Sequence, residues 1–214
     1  MGTIVGRNCK VEVALTFASA INPTAVTKAS PPVVTLSAHG LANGAVGYWS
    51  SVTAGMIELQ DQAFMVNNQA TNTWEMPGLD STDYTTYTAG SATMAATWGT
   101  LSEAMSYEVG GGEVNSLEDT RLYENKLRNI AGLLPSQDIR FSVRPQEIDS
   151  TVLAFVTGKA KRNLQILVKI SKGSQVLRVA YGTPSIPGES VTVGGAATAE
   201  FNMVVPGWVV KPNV

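Results

Sequence analysis

Lys10-Val11-Glu12-Val13-Ala14-Leu15-Thr16-Phe17 is the stretch on which the fold class turns. Val11, Val13, Leu15 and Phe17 fall at every second position, with Lys10, Glu12, Ala14 and Thr16 between them. Successive side chains of a strand point to opposite faces, so this period of two predicts a half-buried strand with one apolar face. A helix would scatter the same apolar residues around its circumference.

The arrangement returns along the chain. Over residues 100–109, Leu101, Met105, Tyr107 and Val109 alternate with Thr100, Ser102, Ala104, Ser106 and Glu108, and Glu103 is the exception on the apolar side. Residues 138–144 set Ile139, Phe141 and Val143 against Asp138, Arg140, Ser142 and Arg144, while residues 163–170 set Leu164, Ile166, Val168 and Ile170 against mostly polar partners. After the turn signal Lys172-Gly173, three shorter strands are predicted at 175–181, 190–193 and 200–205, punctuated by Pro184, Pro187, Gly188 and Gly194-Gly195. The C-terminal third therefore reads as an antiparallel meander. Only residues 146–159 argue clearly for a helix: Ile148, Val152, Phe155 and Val156 recur at spacings of three and four, Pro145 stands just upstream and Gly158 offers a stop. The fold class predicted is mainly β, a β-sandwich with one short α-helix packed on one end or face.

Between the first two of these strands the composition changes. Residues 27–96 open with Ser30-Pro31-Pro32 and carry short β-like runs at 33–37, 45–50, 62–67 and 72–76. They hold Lys28 against five carboxylates, Glu58, Asp61, Glu75, Asp80 and Asp83, and they contain Tyr48, Trp49, Phe64, Trp74, Tyr84 and Tyr87. The shift predicts a small inserted all-β module at 27–96 with aromatics enough for a core, and a discontinuous domain formed by 1–26 and 97–214. Residues 110–137, which begin Gly110-Gly111-Gly112, show no dominant period and read as a long mixed-charge loop with a weakly signalled helix near 117–128.

Charged residues are only 15% of the chain, against a usual share of about a quarter, which suits a surface largely covered by neighbours. A net charge of −2 supplies no basic field of the kind that attracts nucleic acid by counterion release. Cys9 is the one cysteine and His39 the one histidine, too few for an intrachain disulfide or a four-ligand zinc site. No apolar run approaches the roughly 20 residues of a membrane-spanning helix, and the N-terminus lacks a signal-peptide core, so no membrane insertion and a cytoplasmic origin are expected.

The search for catalytic chemistry yields little. His39 stands in Ala38-His39-Gly40-Leu41, which reads as a turn, and nothing in the sequence places Cys9 or a particular serine beside it as a triad would require. Gly110-Gly111-Gly112 lacks the lysine and hydroxyl of a phosphate-binding loop. The acidic groups in Leu117-Glu118-Asp119 and Asp80-Ser81-Thr82-Asp83 do not follow calcium-loop spacing and read as solvated or interfacial charge. No catalytic residue, cofactor or metal is assigned.

Two sets of motifs resemble known families. Val33-Val34-Thr35-Leu36-Ser37-Ala38-His39-Gly40-Leu41, then Gly55-Met56-Ile57-Glu58-Leu59, Phe64-Met65-Val66 and Asn72-Thr73-Trp74, followed by the Thr/Tyr/Gly-rich residues 80–91, resemble a small β module inserted in phage structural proteins. That module is named after the first catalytic cysteine half-domain of ubiquitin-activating enzymes, a label that implies no ubiquitin chemistry. The remainder is similar to the major tail tube proteins of siphophages, on Val114-Asn115-Ser116-Leu117-Glu118-Asp119-Thr120, Gly132-Leu133-Leu134-Pro135-Ser136-Gln137-Asp138-Ile139-Arg140-Phe141, the helix at 148–158 and the strands at 187–193 and 201–205. The resemblance implies a β-sandwich with a helix, hexameric rings stacked around a tape-measure protein, contacts with tail-end proteins, and a bore through which double-stranded DNA passes without specific binding. It implies a place in the virion tail after assembly in the host cytoplasm. The chain departs from a minimal tube protein in carrying its insert between the first two strands.

On this reading Glu12, Thr16, Ser102, Ser106 and Glu108 are expected to line the lumen. Glu113, Leu117, Glu118, Asp119, Arg121, Tyr123 and Lys126 are expected to contact the adjoining subunit or ring. Arg140 and Arg144 share a polar strand face, so they are either paired with carboxylates or lie on a strand that does not line the bore. The rival reading is a phage or bacterial-surface adhesin whose insert aromatics grip a glycan, which requires those rings to be exposed. A hydrolase is disfavoured for want of an assembled nucleophile and base.

Overall fold

A computed structural model describes residues 9–102, 104–110, 116–118, 129–131, 136–144, 151–190 and 197–212, with the backbone alone at 116–118, 129–131, 189 and 190. The strands are β1 (Cys9–Phe17), β2 (Ala25–Val26), β3 (Val33–Thr35), β4 (Val46–Ala54), β5 (Ala63–Met65), β6 (Thr73–Glu75), β7 (Ala89–Thr100), β8 (Ala104–Gly110), β9 (Ser116–Glu118), β10 (Asn129–Ala131), β11 (Gln137–Val143), β12 (Ile166–Lys172), β13 (Gln175–Pro184), β14 (Gly188–Ser190) and β15 (Thr198–Val205). The helix α1 spans Thr151–Lys161. The chain is mainly β with one short α-helix among the described residues, as the alternation predicts.

Ten strands form one antiparallel sheet in the order β5-β4-β7-β1-β12-β13-β15-β11-β8, with β14 beside β15. β2, β3 and β6 form a separate three-stranded sheet, and β9 pairs with β10. That last pairing lies within the stretch read as loop-like, and Leu117 and Glu118 belong to β9. Glu113, Asp119, Arg121, Tyr123 and Lys126 lie outside the described residues.

Two hydrophobic clusters form on opposite faces of the large sheet. Val11 and Val13 of β1, Val168 and Ile170 of β12, Phe141 of β11, Phe201 and Met203 of β15, and Val152, Leu153 and Val156 of α1 make one of them. Ala14, Leu167, Val179 and Tyr181 point the other way and join Trp49, Phe64, Trp74 and Met76 from the 27–96 segment. The aromatics of that segment are therefore completed by residues from outside it. Tyr48 stacks on Tyr181 at 3.8 Å between ring centroids, and Phe17 meets Tyr48 edge-on at 5.4 Å. β7 runs through the 96/97 boundary without a break, pairing with β4 through its first half and with β1 through its second.

Three sequence expectations change at the level of elements. β1 does not keep one phase to its end: the register with β7 shifts after Ala14, and Phe17 packs with Ala14's cluster rather than with Val11 and Val13. A bulge adds a residue to one strand and turns the following side chains over. The strand expected at 100–109 is interrupted, since β7 ends at Thr100, Leu101 drops into the helix-side core and β8 starts at Ala104. The strand expected from residue 163 starts at Ile166, because Asn163 terminates α1 in the left-handed conformation (φ 53°). Leu164 N–H donates to Lys159 O and Asn163 N–H to Ala160 O, both at 3.0 Å, the pair of bonds that closes a Schellman cap. Gly158 thus lies inside the helix rather than at its stop, and residues 145–150 lie outside the described set.

Candidate functional site

The face of the sheet opposite α1 is divided. Over β1, β12 and β13 it is covered by the 27–96 segment. Over β15, β11 and β8 it carries exposed or half-exposed polar groups. Alternation explains this second half: Ile139, Phe141 and Val143 of β11 and Phe201, Met203 and Val205 of β15 point into the helix-side core, which turns Asp138, Arg140 and Ser142, and Glu200, Asn202 and Val204, outward.

The register makes rungs across the three strands. Glu108 stands opposite Arg140, which stands opposite Asn202, and Arg140 Nε donates to Asn202 Oδ1 at 3.3 Å. Ser106, Ser142 and Glu200 form the next rung. Asp138 faces Gly110, and its carboxylate lies where a Cβ at Gly110 would be, so a side chain there would collide with Asp138 Oδ1. Glu108, Gly110, Asp138 and Arg140 enclose a small cleft of about 90 Å³. Among the described residues, the outward face thus holds three carboxylates, Glu108, Asp138 and Glu200, and the Arg140 guanidinium, with the exposed Arg144 just past the end of β11. β8 ends the sheet and pairs only with β11 among the described residues, and Met105 on it is half exposed.

The residues expected at the lumen separate in space. Ser106 and Glu108 lie together on this outward face. Ser102 is exposed in the turn between β7 and β8. Thr16 lies beyond the register shift, exposed, with its Oγ1 2.6 Å from Thr97 Oγ1. Glu12 is in the covered half, only 9% exposed. Its Oε1 accepts from Lys10 Nζ at 2.6 Å and its Oε2 lies 3.0 Å from Lys169 Nζ, which also sits 4.3 Å from the centre of the Trp98 ring. Burial acts to raise the Glu12 carboxyl, but the two lysines outweigh it and hold the group below the usual carboxylate range.

His39 serves local structure. Its Nδ1 accepts from Leu41 N–H at 3.0 Å, its Nε2 lies 3.3 Å from Thr73 O, and its ring meets Trp74 edge-on at 4.9 Å. Asp80 Oδ1 accepts from Thr82 N–H at 3.0 Å and Thr82 Oγ1 at 2.6 Å, a turn-closing arrangement. Trp49, Phe64 and Trp74 are fully buried and Tyr87 nearly so, which removes those four rings from any binding surface.

The C-terminal segment around Trp208 carries no period that marks it in the sequence. It passes over the 27–96 segment and is gripped by the buried side chain of Gln62, which accepts from Trp208 N–H at 2.8 Å and donates to Trp208 O at 2.9 Å. Pro206-Gly207 before a lone tryptophan was the only signal available. No protein-family model matches the chain, and no curated protein matches it.

Proposed function

We propose that the chain is a structural subunit of a bacteriophage tail tube, closing with copies of itself into rings, six-membered by the family resemblance, that stack into the conduit for the genome. The observation that carries this reading is the one-sided construction of β15, β11 and β8: an apolar core beneath, an exposed, mainly polar face above, and β8 at the edge of the sheet among the described residues. An edge strand presents unpaired backbone groups, and a closed ring of copies covers every such edge without a covalent tie. With three carboxylates beside Arg140 and Arg144, the face has no excess of positive charge among the described residues to hold phosphate, which suits a passage through which DNA must slide.

In this reading Ser106 and Glu108 face the bore, the 110–137 region contacts the adjoining subunit or ring, and the 27–96 segment faces outward. Glu12 acts instead as a structural ion-pair partner. The tape-measure and tail-end proteins are the further partners, the virion tail is the place of action, and the mechanism is assembly rather than turnover. The reading in which the insert's aromatics together form a glycan-gripping surface loses four of its six rings, Trp49, Phe64, Trp74 and Tyr87, to the core, and Tyr48 and Tyr84 are half-buried. Electron microscopy of the purified, concentrated chain tests the proposal: hollow rings or tubes are expected, and clear turnover of ester or glycan substrates by the same preparation would count against it.

A further inference from the structure

We propose that the cleft between the 78–84 loop and the C-terminal segment is a saccharide-binding site for a chain of neutral hexose or N-acetylhexosamine units. This inference does not rest on the tail reading. Gly78, Leu79, Asp80, Asp83, Tyr84 and Trp208 line a cleft of about 390 Å³, within the range of about 300–1,000 Å³ usual for small-molecule sites.

Its aromatic wall is exposed on a backbone that is held. Trp208 is 46% exposed, but its backbone is held at both N–H and C=O by Gln62, which is itself fully buried. The next residues are held too: Val209 N–H donates to Gln137 Oε1 at 2.8 Å, and Val210 exchanges both backbone hydrogen bonds with Val179. An indole left in water on an immobilised backbone loses little freedom when a ligand covers it, which is the economy of a preorganised site.

The opposite wall is equally constrained. Gly78 adopts φ +81° against the Lys211 carbonyl, where any side chain would collide with that oxygen. Ser81 is fully buried and donates to Thr27 O at 2.8 Å, and the Asp80 carboxylate is fixed by Thr82. Burial, then the nearby charges of Glu58 and Asp80, raise the Tyr84 hydroxyl above its ordinary value, so it stays a neutral donor. Across the Gly78-Leu79-Asp80 ridge a second cleft of about 400 Å³ offers Ser30, Asn67 and Glu75.

The lining selects the ligand. The C–H face of a pyranose ring packs on an exposed indole, while its hydroxyls donate to carboxylates and exchange hydrogen bonds with amide and hydroxyl groups. Among the described residues no lysine or arginine lines either cleft, so Asp80, Asp83 and Glu75 disfavour nucleic acid and anionic sugars. A wholly apolar partner would strip water from those carboxylates without replacing it.

The test follows the indole N–H resonances of the intact chain during titration with chitotetraose, cellotetraose and maltotetraose. At least one is expected to move the Trp208 resonance while the buried Trp49 and Trp74 stay in place, with a dissociation constant of about 1 mM or lower. By calorimetry, Trp208→Ala should weaken that binding by about tenfold or more, Trp208→Phe by less, and Asp83→Asn measurably. The Trp208 backbone bonds to Gln62 survive these substitutions and its side chain is half exposed, so the variants should stay folded. The proposal is overturned if none of the three sugars moves Trp208, if Trp208→Ala binds unchanged, or if Trp208 moves only with protein concentration, which would assign the cleft to a second copy of the chain.

Discussion

The Glu12 carboxylate is shared between two ammonium groups on a nearly buried stretch of sheet, and Lys169 in turn covers the Trp98 ring. Replacing it by glutamine leaves Lys169 without its counter-charge, so Glu12→Gln should lower stability by about 2 kcal/mol, measured by urea unfolding near neutral pH. The folded-state carboxyl lies below its unfolded value. Its stabilisation is therefore full above the unfolded pKa, about 4.3, and is lost as pH falls through the folded one. The gap between wild type and Glu12→Gln should accordingly begin to close as pH falls toward the unfolded pKa and narrow further below it, and a gap that persists undiminished at low pH would remove the ion pair as its cause. Glu108 differs, being exposed at the β8 edge. Glu108→Lys should leave folding and ring formation intact and, if the proposed bore is right, slow DNA ejection from tails that carry it, by placing positive charge on the proposed bore wall. The alternation of residues 10–17 identifies Glu12 as a polar position, but its partner lies on β12, over 150 residues away in sequence, and no local pattern reveals that.

At the scale of elements, periodicity finds strands whose two faces differ and misses strands whose faces do not. β1, β11 and β12 are legible as alternating runs, and β13 and β15 as short strands between turn signals. The first half of β7, Ala89-Gly90-Ser91-Ala92-Thr93-Met94, is nearly all small residues, so it shows no contrast, yet it is the strand that joins the 27–96 segment to the rest. The run at 100–109 misleads for a related reason: Leu101 and Tyr107 fall in step, although a turn at Ser102 separates them. Close backbone approach is likewise silent in the sequence. Gly182 of β13 passes directly under the Val204 carbonyl of β15, and a Cβ would strike that oxygen. Gly182→Ala should therefore cost about 2–3 kcal/mol, read as a lower urea midpoint, whereas Gly158→Ala on the helix, where a Cβ meets nothing, should be neutral or stabilising.

At the scale of the molecule, one sheet serves two cores, and the 27–96 segment covers half of the face that α1 does not. Composition marks that segment out but does not reveal that Leu167, Val179 and Tyr181 depend on it for burial. Joining Val26 to Thr97 through a short linker would expose these three, each worth about 1.5–3 kcal/mol when buried. The deletion is thus expected to yield a destabilised protein with raised dye binding, and a deletion variant as stable as the whole chain would refute the shared core. The other half of the face, formed by β15, β11 and β8, is where the account places the bore. Helical reconstruction of tubes assembled from the purified chain tests this most directly. Stacked rings around a hollow channel are expected, with Ser106 and Glu108 on its wall and β8 paired to a neighbouring copy. Tubes with that face turned outward, or a chain that stays monomeric at every concentration and in the presence of tail partners, would contradict it.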